Sequence, residues 1–165
     1  MQWNWPNTLT VGRIAFIPFF VMLFYVQPML TEYEVNLYAT IIFVLASLTD
    51  WLDGYLARRL QQTSKFGAFL DPVADKLMVA AALIVLVKLG RVHDLIALII
   101  IGREIAISAL REWMAQIGAS RNVAVHMLGK LKTTAQMVAI QFLLFDGQLL
   151  GFIDTALWGW VLIWI

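Results

Sequence analysis

The chain has 165 residues, of which 61% are hydrophobic and 14% charged, and its formal net charge is +1. Soluble domains carry about a quarter charged residues, so this composition argues against an ordinary soluble domain and is typical of a membrane protein. The sequence contains no cysteine, which excludes disulfides and thiolate-bound metals. We therefore expect membrane lipid as a partner and no nucleic acid.

Residues 1–8 predict a short interfacial segment rather than a cleavable signal peptide. Trp3 and Trp5 suit the depth of the lipid headgroups, and Asn7 or Thr8 is placed to cap the helix that follows. No basic region precedes the first apolar run, and no small-residue cleavage pattern follows it. The N-terminal residues are thus expected to stay on the protein, at the membrane surface.

A membrane-spanning helix needs roughly 20 mostly apolar residues. The apolar runs and the helix breakers between them predict six spans, at about 9–27, 36–57, 70–89, 94–112, 125–145 and 149–165. The expected fold is therefore an all-α integral membrane protein with six transmembrane helices, forming a single domain over residues 1–165. No basic residue follows the last span, so we expect the natural chain to continue beyond Ile165.

The distribution of basic residues predicts the orientation of these spans. With the N-terminus in the cytoplasm, only Lys88 and Arg91 fall on the outer side. The other ten basic residues fall on the cytoplasmic side, at positions 13, 58, 59, 65, 76, 103, 111, 121, 130 and 132. This asymmetry follows the positive-inside tendency of membrane proteins.

Four aspartates lie close together in the sequence, at the edges of the second and third predicted spans. Residues three or four apart share a face of a helix, so Asp50 and Asp53 form one pair and Asp71 and Asp75 another. Carboxylates at a membrane edge are costly and mark function. Oxygen-only ligands suit Mg²⁺ or Mn²⁺, and the four aspartates therefore predict a metal site.

Simpler explanations exist for parts of this pattern. Asp71 is placed to cap a helix whose first turn contains Pro72. Asp50 and Asp53 also have basic neighbours for ordinary ion pairs, namely Arg58, Arg59 and Lys76. Gly54 and Gly67 each cost a helix about 1 kcal/mol relative to alanine, and either close approach of a ligand or helix packing explains them. These alternatives account for one or two carboxylates but not for all four.

The spacing of these residues, D-x2-D-G-x2-A-R-x8-G-x3-D-x3-D, resembles the signature of the CDP-alcohol phosphotransferase family. Its fixed positions are Asp50, Asp53, Gly54, Ala57, Arg58, Gly67, Asp71 and Asp75. The resemblance implies two divalent ions, Mg²⁺ or Mn²⁺, on the four aspartates and a site for the diphosphate of a CDP-linked donor. It also implies that Asp75 is the general base on the acceptor hydroxyl, and that the small residues admit the cytidine of the donor. Arg58 is placed to stabilise the departing CMP.

Four further stretches resemble bacterial members of this family that transfer a phosphatidyl group from CDP-diacylglycerol to sn-glycerol 3-phosphate. These stretches read PNTLTVGR, TSKFGAFLDPVADKL, REIAISALREWMA and GKLKTTAQMVA. The resemblance implies a homodimer in the bacterial cytoplasmic (inner) membrane, with the active site facing the cytoplasm. It also implies that Asn7, Thr10 and Arg13 line the donor entrance, although helix capping and interface anchoring explain these three residues equally well.

The remaining basic residues bear on the acceptor. Arg103 lies well inside a predicted span, where an arginine is costly and is usually paired or bound to a ligand, and the neighbouring Glu104 is placed to orient it. Arg111 shares its helix face, and Lys130 and Lys132 begin the fifth span. We predict that these four cations bind the phosphate of the acceptor. For Arg111, Lys130 and Lys132, simple anchoring to the lipid headgroups is the alternative.

Two other functions compete with this hypothesis. A family member with another acceptor, such as serine or inositol phosphate, would share the aspartates, although serine would need fewer cations nearby. A divalent-cation transporter would also bind metal through carboxylates. Transport sites usually lie between repeats near the bilayer midplane, and the sequence has no evident repeat.

Overall fold

The computed structural model describes residues 5–25, 30–60, 65–117, 127–149 and 153–164. This part of the chain forms six helices, α1 (Trp5–Leu23), α2 (Glu32–Leu60), α3 (Lys65–Lys88), α4 (Asp94–Gln116), α5 (Met127–Phe145) and α6 (Thr155–Ile163). Two short strands, β1 (Gln148–Leu149) and β2 (Ile153–Asp154), pair antiparallel between α5 and α6. The predicted all-α architecture with six helices is confirmed apart from this small hairpin. Among the helices that the structure describes, none combines the length and the apolar character that crossing a bilayer requires.

Three helices, α1, α2 and α3, begin earlier than the sequence predicted, and two of these starts overturn a predicted helix cap. Because α1 starts at Trp5, Asn7 and Thr8 lie inside it and do not cap it. Because α3 starts at Lys65, Pro72 lies inside the helix and Asp71 is not its cap. Both errors have one cause, since a search for apolar runs misses the polar turns with which a helix begins.

The chain divides into two compact units, residues 1–85 and 86–165. In the first unit, α1 packs against α2. Phe20 of α1 lies at the centre of this contact, with its ring centroid 5.6 Å from that of Phe24 and 6.4 Å from that of Phe43 in α2. Val35, Ala39 and Phe43 follow each other at four-residue spacing and are all buried, so one face of α2 forms the core.

Thr31 and Glu34 form a reciprocal capping box at the start of α2. The backbone N–H of Thr31 donates to Glu34 Oε2 at 2.9 Å, and the Thr31 hydroxyl donates to the same oxygen at 2.8 Å. In return, the backbone N–H of Glu34 donates to Thr31 Oγ1 at 3.3 Å. The backbone bond from Thr31, followed by the hydroxyl bond, holds the pKa of Glu34 below its ordinary value. The box thereby satisfies backbone groups that the first helical turn leaves without partners.

The second unit has α5 packed against α6. Gly159 of α6 sits against α5 so closely that an added Cβ would lie 2.6 Å from Leu143 Cγ and 3.2 Å from the carbonyl oxygen of Ala139. The glycine is therefore what lets the two helix backbones approach each other.

The sixth predicted span, at about 149–165, is not a continuous helix. Residues 148–149 and 153–154 form the hairpin, and α6 starts only at Thr155. Asp154 caps α6 by accepting a bond of 3.2 Å from the backbone N–H of Leu157. The buried Thr155 hydroxyl donates to the carbonyl oxygen of Gly147 at 2.7 Å. Turn and capping residues inside the apolar run thus break the helix that hydropathy predicts.

Arg91 closes the C-terminal end of α5. Its Nη1 donates to the carbonyl oxygens of Leu143 and Leu144 at 3.2 and 3.1 Å, and its Nε lies 3.0 Å from Asp146 Oδ2. Carbonyls in the last turn of a helix lack partners within the helix, and a cation there also suits the negative end of the helix dipole. Arg91, assigned to the outer side from the sequence, thus has a structural role.

Candidate functional site

Arg13 of α1 and Asp75 of α3 form an ion pair within the first unit. Arg13 Nη1 donates to Asp75 Oδ1 at 2.8 Å. The Arg13 side chain is 2% exposed and the Asp75 side chain 36% exposed. A buried guanidinium requires a partner of this kind, because removing a charge from water is costly. The structure thus joins the predicted general base directly to a residue predicted at the donor entrance.

A cavity of about 190 Å³ lies beside this ion pair, between α1 and α2. Its lining consists of Gly12, Arg13, Phe16, Ile42, Leu45, Ala46 and Thr49. Thr10, one helical turn before Arg13, is fully buried, whereas the side chain of Asn7 lies outside the described part. The arrangement places one guanidinium beside an otherwise mainly apolar surface.

The eight positions of the predicted signature belong to two consecutive helices, α2 and α3. Five of its residues belong to α2, namely Asp50, Asp53, Gly54, Ala57 and Arg58. Gly67, Asp71 and Asp75 belong to α3. Apart from Asp75, the side chains of these residues lie outside the described part of the structure. The sequence therefore placed the motif on the correct pair of helices, and its side-chain geometry stays a prediction.

A metal site on the four aspartates also stays a prediction. Among the side chains that the structure describes, no three His, Asp or Glu residues gather as a metal-binding group. The chemistry of the donor set nonetheless fits a hard cation, because carboxylate oxygens are the ligands that Mg²⁺ and Mn²⁺ prefer. Asp75, the one described member, has a partly exposed side chain, one oxygen of which is paired with Arg13.

A second group of polar side chains surrounds Arg103 in the other unit. Arg103 Nη2 donates to Gln136 Oε1 of α5 at 2.7 Å and to Glu104 Oε1 at 3.0 Å. Arg103 and Glu104 are each 26% exposed. The pairing of Arg103 with Glu104 is the one that the sequence indicated. The bond to Gln136 joins α4 to α5.

A cavity of about 160 Å³ opens onto this group. Arg103, Lys132 and Gln136 are its polar side, and the rest is formed by Ile96, Ile99, Ile100, Leu162, Ile163 and Trp164. Two of the four predicted acceptor residues, Arg103 and Lys132, therefore line one cavity. Arg111 is exposed and is not among the lining residues, and the side chain of Lys130 lies outside the described part.

Sequence reasoning missed Gln136, although a signal for it was present. Gln136 follows Lys132 by four residues on α5, and positions at this spacing share a helix face. It is only 6% exposed, which is unusual for a glutamine. A search for cations alone does not detect a neutral side chain of this kind.

Comparison with known proteins identifies the family. The sequence model of the CDP-alcohol phosphatidyltransferase family matches residues 3–165. The chain belongs to this family. The match includes the complete eight-residue signature on α2 and α3, so the predicted family, and with it the transferase class, is confirmed.

Several curated members of the family are similar to the chain over most of its length. It is 54% identical over 146 residues to a CDP-diacylglycerol–glycerol-3-phosphate 3-phosphatidyltransferase of Pectobacterium atrosepticum, covering 87% of this chain and 78% of the relative. The protein of the same name from Haemophilus influenzae is 51% identical over 150 residues, covering 87% and 77%. That of Escherichia coli (strain K12) is 50% identical over 148 residues, covering 87% and 78%.

Proposed function

We propose that this chain transfers a phosphatidyl group from CDP-diacylglycerol to sn-glycerol 3-phosphate and releases CMP. The observation that carries the proposal is the identity of 50–54% to relatives named for this reaction. The family signature is complete in the chain, and a cavity bears two of the cations predicted to bind an acceptor phosphate. An acceptor with its own phosphate suits such a lining better than serine does.

In the proposed reaction, a hydroxyl oxygen of glycerol 3-phosphate attacks the phosphorus atom that carries the diacylglycerol. The bond from that phosphorus to the oxygen shared with CMP breaks, and CMP leaves with the bonding electrons. The hydroxyl proton passes to Asp75, whose carboxylate accepts it as the general base. The Arg13 guanidinium holds one oxygen of that carboxylate in place.

The donor is bound by the signature and by the start of α1. Asp50, Asp53, Asp71 and Asp75 would hold two divalent ions, Mg²⁺ or Mn²⁺, which when bound neutralise the diphosphate and stabilise the attacking and leaving oxygens. Arg58 pairs with the phosphate of the departing CMP. The small residues Gly54, Ala57 and Gly67 leave room for the cytidine. Asn7, Thr10 and Arg13 remain the residues proposed for the donor entrance.

The acceptor phosphate is bound by cations of α4 and α5. Arg103 and Lys132 line the same cavity, which supports this role for both. A guanidinium donates two parallel hydrogen bonds to a phosphate, and an ammonium adds a mobile point charge. Arg111 and Lys130 are included in the proposal on the strength of their sequence positions.

The enzyme is proposed to work in the bacterial cytoplasmic membrane as a multi-pass homodimer, with the active site on the cytoplasmic side. The donor is a lipid, which requires the site to be reached from a bilayer. Large apolar side chains on α1 and α4 are strongly exposed and are suited to lipid contact, among them Phe19 at 65% and Ile99 at 68%. The asymmetry of basic residues supports the orientation.

The test is CMP release by the purified protein in detergent micelles with CDP-diacylglycerol. Glycerol 3-phosphate is expected to support release, serine and inositol phosphate are not, and EDTA should abolish it. Asp75→Asn should lower the rate by roughly 10²- to 10⁴-fold because it removes the base. Asp94→Asn, an exposed change at the start of α4, is the matched control and should leave the rate unchanged. Release with inositol phosphate or serine alone would overturn the assigned acceptor, and metal-independent release would overturn the mechanism.

A further inference from the structure

Gln136 is a buried polar side chain on the wall of the cavity that contains Arg103 and Lys132. Its Oε1 accepts a hydrogen bond of 2.7 Å from Arg103 Nη2, and the residue is 6% exposed. Lys132 lies one helical turn before it on α5. All three residues line the same cavity. Through its hydrogen bond, the Gln136 amide contacts Arg103, one of the cations proposed to bind the acceptor phosphate.

We infer that Gln136 is a positioning residue of the acceptor site, and that it fixes the Arg103 guanidinium toward the cavity. The inference rests on the proposed function, because it takes the ligand of this cavity to be the phosphate of the acceptor. An arginine side chain has many rotamers, and fixing it before a ligand binds reduces the entropy that binding loses. The bond from α5 supplies a second anchor in addition to the adjacent Glu104.

The neutral charge of Gln136 matters as much as its hydrogen bond. Arg103 already has a carboxylate partner in Glu104, at 3.0 Å. The polar side chains of the group then carry two positive charges, on Arg103 and Lys132, and one negative charge. An amide oxygen orients Arg103 without cancelling the remaining positive charge. A carboxylate at position 136 would keep the hydrogen bond but would repel a phosphate.

Two substitutions separate orientation from charge. Gln136→Met keeps the approximate volume and removes the accepting oxygen, so Arg103 loses its anchor. Gln136→Glu keeps the accepting oxygen and adds a negative charge. Gln141→Met is the matched control, since Gln141 lies on the same helix and is not among the residues that line the cavity.

The experiment measures KM for glycerol 3-phosphate and for CDP-diacylglycerol separately, together with inhibition by inorganic phosphate. Gln136→Met removes a hydrogen bond to a charged group, and the binding free energy lost with such a bond should raise the KM for glycerol 3-phosphate by roughly ten-fold. Gln136→Glu should raise it further and should weaken inhibition by phosphate. The KM for CDP-diacylglycerol should stay unchanged, and Gln141→Met should match the wild type.

A purely structural role for Gln136 would give a different result. It would lower thermal stability and the amount of active enzyme without changing the KM for the acceptor selectively. Unchanged acceptor KM in both variants, or equal rises for both substrates, would overturn the inference. If Gln136→Met does not fold, an unchanged KM for glycerol 3-phosphate in Gln136→Glu, which preserves the shape of the side chain, would still overturn the inference. Failure of the proposed function itself is distinguishable, because the wild type would then release no CMP with glycerol 3-phosphate.

Discussion

Arg13 and Asp75 connect α1 to α3 through a charge-assisted hydrogen bond of 2.8 Å between side chains 62 positions apart. The guanidinium is almost completely buried, while the carboxylate is partly open. Asp75, the proposed base, is thus held by a buried guanidinium and is itself partly exposed to solvent. Such a bond fixes one oxygen of the carboxylate and thereby limits the orientations that Asp75 adopts.

This relationship predicts that Arg13 affects both stability and catalysis. Arg13→Met should lower the free energy of unfolding by about 2 kcal/mol, less than for a fully buried pair because solvent reaches Asp75. The same change should lower the rate of CMP release, since the base loses its orientation. Thermal unfolding in detergent and the CMP assay measure the two effects.

Arg13→Lys is the control for charge. Lysine keeps the cation but replaces the planar guanidinium by a flexible ammonium, so it should restore stability better than it restores the rate. A methionine variant as stable and as active as the wild type would show that the ion pair has neither role.

Arg111 and Lys132 provide a second prediction, because the structure separates two residues that the sequence had grouped. Lys132 lines the cavity with Arg103, whereas Arg111 is exposed and is not among the lining residues. Lys132→Met should raise the KM for glycerol 3-phosphate roughly ten-fold, the effect of one charged hydrogen bond. Arg111→Met should change it less if the cavity is the binding site. A larger effect at Arg111 than at Lys132 would place the acceptor phosphate elsewhere.

Local spacing predicted the signature well because each of its halves occupies one helix. Positions three and four apart on α2 and α3 follow from helix geometry alone. Arg103 and Glu104, which are adjacent in the sequence, also pair as the sequence indicated. Hydropathy located the first five helices to within a few residues, since a buried or lipid-facing helix is an apolar run.

Contacts between distant residues were not predictable in this way. Asp75 contacts Arg13, and Arg103 contacts Gln136, only because the fold brings side chains of different helices within hydrogen-bonding distance. The two residues of each pair are 62 and 33 positions apart, so the spacing of residues on one helix does not predict either contact. The last span was predicted wrongly since the capping residue Asp154 and the bonds between Thr155 and Gly147 end the helical pattern inside an apolar run. A window average of hydropathy smooths over such single residues.

Gly159 gives a prediction about the packing of α5 against α6. An added Cβ would lie 2.6 Å from Leu143 Cγ, closer than carbon atoms approach, so one helix would have to move. Gly159→Ala should therefore lower the free energy of unfolding by about 1–3 kcal/mol, the usual range for overpacking. Thermal or denaturant unfolding in detergent measures the change.

Gly102 is the matched control for this substitution. It lies inside α4, and an added Cβ would meet no atom within 4 Å. Gly102→Ala should stabilise the protein by up to about 1 kcal/mol, because alanine has the higher helix propensity. Equal effects of the two substitutions would mean that α6 does not depend on close approach at Gly159.

The capping box of α2 predicts a pH dependence with a defined sign. Hydrogen bonds from Thr31 lower the pKa of Glu34 below its ordinary value of 4.5, so the folded state binds this proton less readily than the unfolded state. The stabilisation is therefore complete above pH 4.5 and is lost as the pH falls through the lowered pKa. Glu34→Gln keeps a capping side chain that does not titrate, so the stability advantage of the wild type over this variant should shrink on acidification.

Thr31→Ala tests which bond lowers the pKa. The larger cause is the bond from the backbone N–H of Thr31, which alanine retains, and the smaller is the bond from the hydroxyl, which alanine lacks. The alanine variant should consequently keep most of the pH dependence relative to a Thr31→Ala, Glu34→Gln double variant. Unfolding midpoints of the four proteins, measured from neutral pH downward, separate the two bonds. Parallel pH curves for the wild type and Glu34→Gln would show that the box does not titrate with folding.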